Sequence, residues 1–486
     1  GTQLLYDEDK SGHSPMSVAI STNDIEIVRC MCTALAESRA DDVFEAVRGD
    51  STAAVFSTKD LVEGLKNGVC VEVFNYMLEE LEGDSGGGGG ARNGGLFDVN
   101  TIVSDDLMND PLAIICAKSG RADILRFATE KWGLDLNAKN NKGFTAFLVA
   151  AEMRSMDVFD FLANESEVDT EICDILGNNA FHLIAMGSES GEYGYNHAEE
   201  DDRMMLIMSR LPIELLSAVN RGGETPLMVA VDRADVSTTL RIIRFGQSRG
   251  SDLGIDAVHE KKGAALNTAI RTKNKRVVEA LISSCGASLV NKKLKWPLIF
   301  DVIAGLDIEF LKYFLKVIGD KEGGNRKIAN LLRSVDENGE NVFFHIIDGI
   351  RTREEEQQRG GDDEEDGWSD EEEEDDVELR DTLIRAQNPK TLIDIFDLLF
   401  ELPDIDFFDI LEQRRSRDGR GLIHLAAANK DMGRVKLLIE KGKRSGVEVA
   451  KQVDNRKQTG SAIAAKLGAT KVSIILHNAA TATVNR

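Results

Sequence analysis

The sequence has little that would mark a secreted, membrane-spanning or metal-binding protein. Its six cysteines are scattered and include no C-x-x-C pair, which argues against a disulfide framework and against a zinc site. No apolar run approaches the length of a membrane span, and no signal peptide is recognisable. These absences predict a cytoplasmic or nuclear protein. Because the chain begins with Gly1 and not with methionine, a targeting segment cannot be assessed.

Motifs for catalysis are also missing. The sequence contains no H-x-x-x-H zinc pair, no nucleophile elbow and no dinucleotide-binding glycine pattern. Consecutive glycines lie between Asp84 and Gly95, but they lack the Lys and the Ser or Thr that follow a phosphate-binding loop. We therefore predict a flexible linker there, and a protein that is not an enzyme and has no cofactor and no metal.

What the sequence does contain is a repeated unit, which is clearest from Asn220 to Val236. Gly222 and Gly223 suit a tight turn, because glycine tolerates a positive backbone angle. Thr225 can cap a helix that Pro226 opens. A second apolar helix follows it. Neither helix could bury its apolar side alone, so the pattern predicts a stack of units that share one core.

Related units recur along most of the chain, and we count about eleven of them. Their turns or first helices begin near Gly12, Asp60, Asp110, Gly143, Gly177, Gly222, Gly263, Trp296, Gly339, Gly419 and Gln458. The unit G-E-T-P-L-M-V-A resembles the repeat of the ankyrin family, although only the Gly222 unit keeps T-P-L intact. The resemblance implies an all-α, ankyrin-like helical repeat solenoid with short turns or hairpins and long inserted loops.

Interruptions of the repeats divide the chain into five segments. We predict degenerate N-terminal repeats in 1–82, a Gly-rich linker in 83–108, and central repeats in 109–350 with a loop insertion at 187–202. An acidic insertion follows at 351–390, and basic C-terminal repeats occupy 391–486. From Glu412 to Arg486 there are 16 Lys and Arg against 6 Asp and Glu, whereas the whole chain carries a net charge of −26.

The resemblance implies that the protein holds other proteins in place, as a non-catalytic scaffold within a larger assembly. In ankyrin repeats the turn tips and first helices form the usual docking surface, and the family's histidine, here His182 and His424, supports the turn. Binding to nucleic acid is not expected. The candidate contact residues at the turn tips are Asn141, Lys142, Phe144, Arg221, Glu224, Asn338, Glu340, Arg417 and Arg420.

Two other hypotheses remain open at this point. The polyacidic run at 362–376 would suit a chaperone or buffer for basic proteins, and Ser369 within it resembles a site for an acidophilic kinase. The chain could instead be the regulatory cytosolic part of a longer enzyme or channel.

Overall fold

The computed structural model describes residues 15–41, 58–86, 99–104, 108–187, 197–291, 297–305, 307–336, 338–349 and 389–482. These residues are mostly helical, and the only β structure among them consists of isolated bridges such as Val103 with Pro111. The prediction of an all-α fold is confirmed. In the same residues, no helix is long and apolar enough to cross a membrane.

Helices follow one another as pairs in which a short first helix precedes a longer second one. In chain order the pairs are α1 (Pro15–Ser21) and α2 (Ile25–Asp41), α3 (Thr58–Lys66) and α4 (Val71–Gly86), α5 (Leu112–Lys118) and α6 (Ala122–Trp132), α7 (Ala146–Glu152) and α8 (Met156–Asn164), α9 (Ala180–Met186) and α10 (His197–Arg210), and α11 (Pro226–Asp232) and α12 (Val236–Arg249).

The pattern continues in the second half of the chain, with two additional helices. Its elements are α13 (Ala265–Arg271) and α14 (Lys275–Ser283), α15 (Leu298–Ala304) and α16 (Ile308–Gly319), the extra α17 (Gly324–Arg333), α18 (342–349) and α19 (Pro389–Glu401), the extra α20 (Phe408–Glu412), α21 (Leu422–Ala428) and α22 (Met432–Ser445), and α23 (Gly460–Lys466) and α24 (Thr470–Ala482).

The chain folds into two compact units. Unit 1 comprises residues 1–230 and 244–254, and unit 2 comprises residues 231–243 and 255–486. In unit 1 the first helices α1, α3, α5, α7 and α9 contact one another in that order, and the second helices α2, α4, α6, α8 and α10 do the same. Each helix therefore buries its apolar side against its neighbours in the stack, as the repeat pattern predicts.

Unit 2 shows the same packing around α13 to α16 and around α21 to α24. Between these groups, an aromatic cluster joins α18 to α19. The ring centroids of Phe343 and Phe400 lie 4.6 Å apart, and those of Phe396 and Phe400 lie 4.7 Å apart. All three rings are fully buried. The helices on either side of the acidic insertion are thus packing partners.

Several predicted boundaries differ from the structure. Residues 197–202, which were predicted as part of the loop 187–202, belong to α10 (His197–Arg210). Helices α17 and α20 have no counterpart in the predicted pairs, and the acidic insertion ends where α19 begins at Pro389. Segment 362–376 and Ser369 lie outside the described residues.

Candidate protein-docking surfaces at the turn tips

A hairpin turn of constant geometry precedes many of the first helices. In turn 140–144 the backbone N–H of Asn140 donates to the carbonyl of Phe144 at 3.1 Å, and Gly143 N–H donates to the carbonyl of Asn140 at 2.9 Å. The side-chain oxygen of Asn140 accepts the backbone N–H groups of Lys142 and Phe144 at 2.9 and 3.0 Å. One Asn or Asp side chain therefore fixes the whole turn.

The same backbone bonds close the turns 174–178, 220–224, 336–340 and 454–458, each of which begins with Asp or Asn. The fourth residue of every turn has a positive φ, for example 78° at Gly177 and 80° at Gly223. Gly222, which the sequence also suggested for this role, is not among the positive-φ residues. In turn 454–458 the position is occupied by Lys457, whose φ is 58°.

A polar side chain after the turn caps the first helix, as Thr225 was predicted to do. Thr225 Oγ1 accepts the backbone N–H of Met228 at 3.3 Å, and Thr145 Oγ1 accepts that of Leu148 at 3.4 Å. Asn179 replaces threonine at this position and accepts the N–H of His182 at 3.1 Å. The N-cap is therefore retained where the T-P-L motif is degenerate.

Backbone hydrogen bonds connect successive turn tips. In unit 1, Asn141 N–H donates to the carbonyl of Met108 at 3.0 Å, Ile175 N–H to that of Lys142 at 3.0 Å, and Arg221 N–H to that of Leu176 at 2.8 Å. In unit 2, Asn455 N–H donates to the carbonyl of Asp418 at 3.0 Å. Side chains from neighbouring tips are consequently held side by side.

Two buried histidines add a second link between neighbouring turns. His424 Nδ1 accepts the N–H of Gly421 at 3.1 Å, while its Nε2 lies 3.1 Å from the carbonyl oxygen of Gln458. Since an N–H can only donate and a carbonyl can only accept, this ring is neutral with its proton on Nε2. His182 Nε2 likewise donates to the carbonyl of Glu224 at 2.9 Å. Burial lowers the pKa of both rings below the usual value.

His345, one position off the repeat pattern, differs from these two. Its Nε2 lies 2.9 Å from Oδ2 of Asp336 in its own hairpin turn. Burial alone would raise the pKa of Asp336, but hydrogen bonds from His345 and from backbone N–H groups outweigh this effect and lower it. The pair therefore stiffens the turn 336–340.

The nine predicted contact residues fall into two groups, one in each unit. Those in unit 1 are Asn141, Lys142, Phe144, Arg221 and Glu224, and those in unit 2 are Asn338, Glu340, Arg417 and Arg420. Exposed members are Asn141, Lys142, Arg221, Asn338 and Arg417, and half-buried members are Phe144, Glu224 and Arg420. Eight of the nine thus present at least part of their side chain to solvent.

Glu340 is the exception, because its side chain is buried and does not project from the turn. It is 6% exposed, and its carboxylate lies 3.3 Å from Arg415 Nη2 and 3.4 Å from Arg417 Nε. Burial raises the pKa of Glu340, against the opposing effect of the two arginines. Arg415 also pairs with Asp348 at the end of α18. These ion pairs join the hairpin turn before the acidic insertion to the turn that follows α20.

Two exposed aliphatic residues at a turn tip were not among the predicted contact residues. Ile175 is 49% exposed and Leu176 is 59% exposed. They occupy the second and third positions of turn 174–178, where turn 140–144 has Asn141 and Lys142. The sequence feature that could have indicated this surface is the presence of two aliphatic residues at turn positions that favour polar ones.

We define the unit 1 tip surface as Asn141, Lys142, Phe144, Ile175, Leu176 and Arg221, and the unit 2 tip surface as Arg417, Arg420, Asn455, Arg456 and Lys457. Both are rows of exposed or half-buried side chains on stacked turns, but the first has an aliphatic centre and the second is mainly cationic. Among the described residues, no group of three or more His, Cys, Asp or Glu side chains could hold a metal ion.

No family model matches the chain, and a search of curated proteins gave no match.

Proposed function

We propose that the chain is an ankyrin-like helical repeat protein that acts as a non-catalytic scaffold, holding other proteins at its turn tips. The observation that carries this proposal is the set of backbone hydrogen bonds from tip to tip in unit 1. They place outward-pointing side chains from turns that are distant in sequence in a fixed row, which is what a rigid docking surface needs.

The exposed aliphatic centre of the unit 1 tip surface supports the same proposal. About half of the surface of Ile175 and more than half of that of Leu176 remain exposed to solvent, and burial of such aliphatic surface drives protein association. The free cysteines, none of which forms a disulfide in the described part of the chain, suit a cytoplasmic or nuclear location.

Purification of the full chain from its native source, with and without a double substitution, tests the proposal. We expect the native chain to co-purify with a stoichiometric protein partner in a complex that is stable at high salt. The Ile175→Asn, Leu176→Asn variant should not co-purify with this partner. The unfolding midpoint should not change, because both side chains are exposed in the free protein.

Ile474→Asn provides a matched control, since Ile474 is 53% exposed but lies on the second helix α24, away from any turn tip. The control should retain the partner. A partner that remains bound to the double variant, or a native chain that purifies as an isolated monomer, would contradict the proposed function.

A further inference from the structure

We propose that the unit 1 tip surface binds a partner segment in which two aliphatic residues lie between two carboxylates. This inference rests on the proposed docking function and specifies the chemistry of the partner. It comes from the order of four side chains across three consecutive turns, which is Lys142, then Ile175 and Leu176, then Arg221.

The order of this row is fixed by the backbone. The amide of Ile175 bonds to the carbonyl of Lys142, and the amide of Arg221 bonds to the carbonyl of Leu176. A Cβ added to Gly143 would meet Ile175 N at 2.9 Å, and one added to Gly177 would meet Arg221 N at 2.9 Å. The three tips are therefore in close contact, and the aliphatic pair lies between the two cations.

Nothing in the fold requires aliphatic residues at this tip. The Asp174 side chain closes the turn through the backbone N–H groups of Leu176 and Asn178, at 2.8 and 2.7 Å. Turn 454–458 makes the corresponding bonds with Asn455 and Arg456 at the tip. The aliphatic side chains thus have no role in the turn itself, and their exposure is explained by a partner that covers them.

The two flanking cations are available to a ligand. Lys142 and Arg221 are exposed, and neither forms an ion pair within the part of the chain that the structure describes. Glu224 shares a turn with Arg221, but its Oε2 accepts a hydrogen bond from Asn220 Nδ2 at 3.3 Å. Asp174 and Glu224 are the carboxylates within the same three turns, and they are buried and half-buried respectively, so the fully exposed charges of these tips are the two cations.

The spacing of the turns sets the length of the segment. Backbone hydrogen bonds join Lys142 to Ile175 and Leu176 to Arg221, and Ile175 and Leu176 are neighbours in the chain. The backbones of Lys142 and Arg221 are therefore roughly 14–16 Å apart, a distance that an extended chain covers with about five residues. Two carboxylates of the partner segment at that spacing would reach Lys142 and Arg221, and the arginine can bind its carboxylate in a bidentate manner. The two aliphatic residues between the carboxylates would cover Ile175 and Leu176.

Fluorescence polarisation with the full chain and labelled peptides tests this inference. The probe is Glu-Ser-Leu-Leu-Ser-Glu with Gly-Ser at each end, and the comparison peptides are Lys-Ser-Leu-Leu-Ser-Lys and Glu-Ser-Ser-Ser-Ser-Glu with the same ends. We expect the first peptide to bind at least about tenfold more tightly than either comparison peptide, because only it satisfies both the cations and the aliphatic pair.

Variants of the protein locate the binding. Lys142→Glu with Arg221→Glu, and Ile175→Asn with Leu176→Asn, should each weaken binding of the acidic aliphatic peptide by about tenfold or more. Arg456→Glu and Val453→Asn are matched controls in unit 2, since Arg456 is an exposed turn-tip cation and Val453 is 48% exposed beside the same turn. Both controls should bind as the native chain does.

Three results would overturn the inference. The acidic aliphatic peptide could fail to bind at about millimolar concentration, the cationic peptide could bind equally well, or the charge reversals could leave the affinity unchanged. Measurements on the complex with the native partner distinguish failure of this inference from failure of the proposed scaffold function. If charge reversal leaves the native complex intact while the Ile175→Asn, Leu176→Asn variant loses it, docking at the tips stands and only the acidic chemistry is wrong.

Discussion

The turns 174–178 and 454–458 share one backbone but differ in the residue at the positive-φ position. Gly177 fills it in the first turn and Lys457 in the second, with φ of 78° and 58°. Gly177 faces the amide of Arg221 in the next turn, where a Cβ would approach to 2.9 Å. In the described part of the chain, no further hairpin turn follows 454–458.

The difference between Gly177 and Lys457 shows why glycine is needed at the fourth position of some turns and not of others. A positive φ alone is tolerated by lysine at a cost of about 1–2 kcal/mol. Where another turn stacks directly on the position, any side chain would also separate the two tips. Glycine in these turns is therefore required by the contact between neighbouring repeats as well as by the backbone angle.

The largest expected effect comes from breaking this contact with Gly177→Ala. The substitution combines an unfavourable φ with a clash against the backbone of Arg221, and we expect a loss of about 2–4 kcal/mol in the free energy of unfolding. Urea denaturation measures it. The tip-to-tip hydrogen bond between Arg221 and Leu176 should be lost together with this stability.

Gly133→Ala is the control, because Gly133 also has a positive φ, 64°, but a Cβ there would meet nothing within 4 Å. It should cost only about 1–2 kcal/mol, from the backbone angle alone. Equal costs for the two substitutions would show that the contact with the next turn contributes nothing.

A smaller effect on the free energy of unfolding is expected from protonation of His424, which links two neighbouring turns. Because burial lowers the pKa of His424 in the folded protein, the unfolded chain binds its proton first as the pH falls. The contribution of His424 is fully present above about pH 6.5, the ordinary value for histidine, and is lost as the pH falls below it.

His424→Gln should flatten the change in the free energy of unfolding between about pH 7.5 and 5, because glutamine does not titrate there. His182 remains in the variant, so part of the pH dependence should persist. An unchanged slope in His424→Gln would contradict the neutral, buried state assigned to this ring.

The smallest effect is expected from converting turn 454–458 to the glycine form. Lys457→Gly relieves the positive φ but increases the conformational entropy of the unfolded chain, leaving a net gain of about 0.5–1 kcal/mol. Thermal unfolding measures it. Lys457→Ala keeps the unfavourable φ and should give no gain, which separates the backbone effect from the loss of charge.

The sequence predicted the paired helices because their signals are local. A glycine in the turn, a capping residue such as Thr225 and a short apolar helix lie within about ten residues of one another and follow the repeat period. The helices either side of the acidic insertion could be paired for the same reason, since each keeps its own apolar pattern around Phe343 and Phe396.

What the sequence could not predict depends on contacts between distant residues. Glu340 looked like an exposed turn residue, and only the structure places Arg415 beside it. Ile175 and Leu176 occupy the turn positions of Asn141 and Lys142, but aliphatic side chains in a sequence indicate burial more often than an exposed turn. Their exposure follows from the position of the tip in the stack, which no local pattern specifies.

Amide hydrogen exchange at residue resolution tests the tip-to-tip bonding most directly. Ile175 and Arg221 have exposed side chains, but their amides bond to the carbonyls of Lys142 and Leu176 in the neighbouring turns. We predict that both amides exchange slowly in the native chain and that the Arg221 amide exchanges quickly in Gly177→Ala. Rapid exchange at both amides in the native chain would contradict the linked row of turn tips.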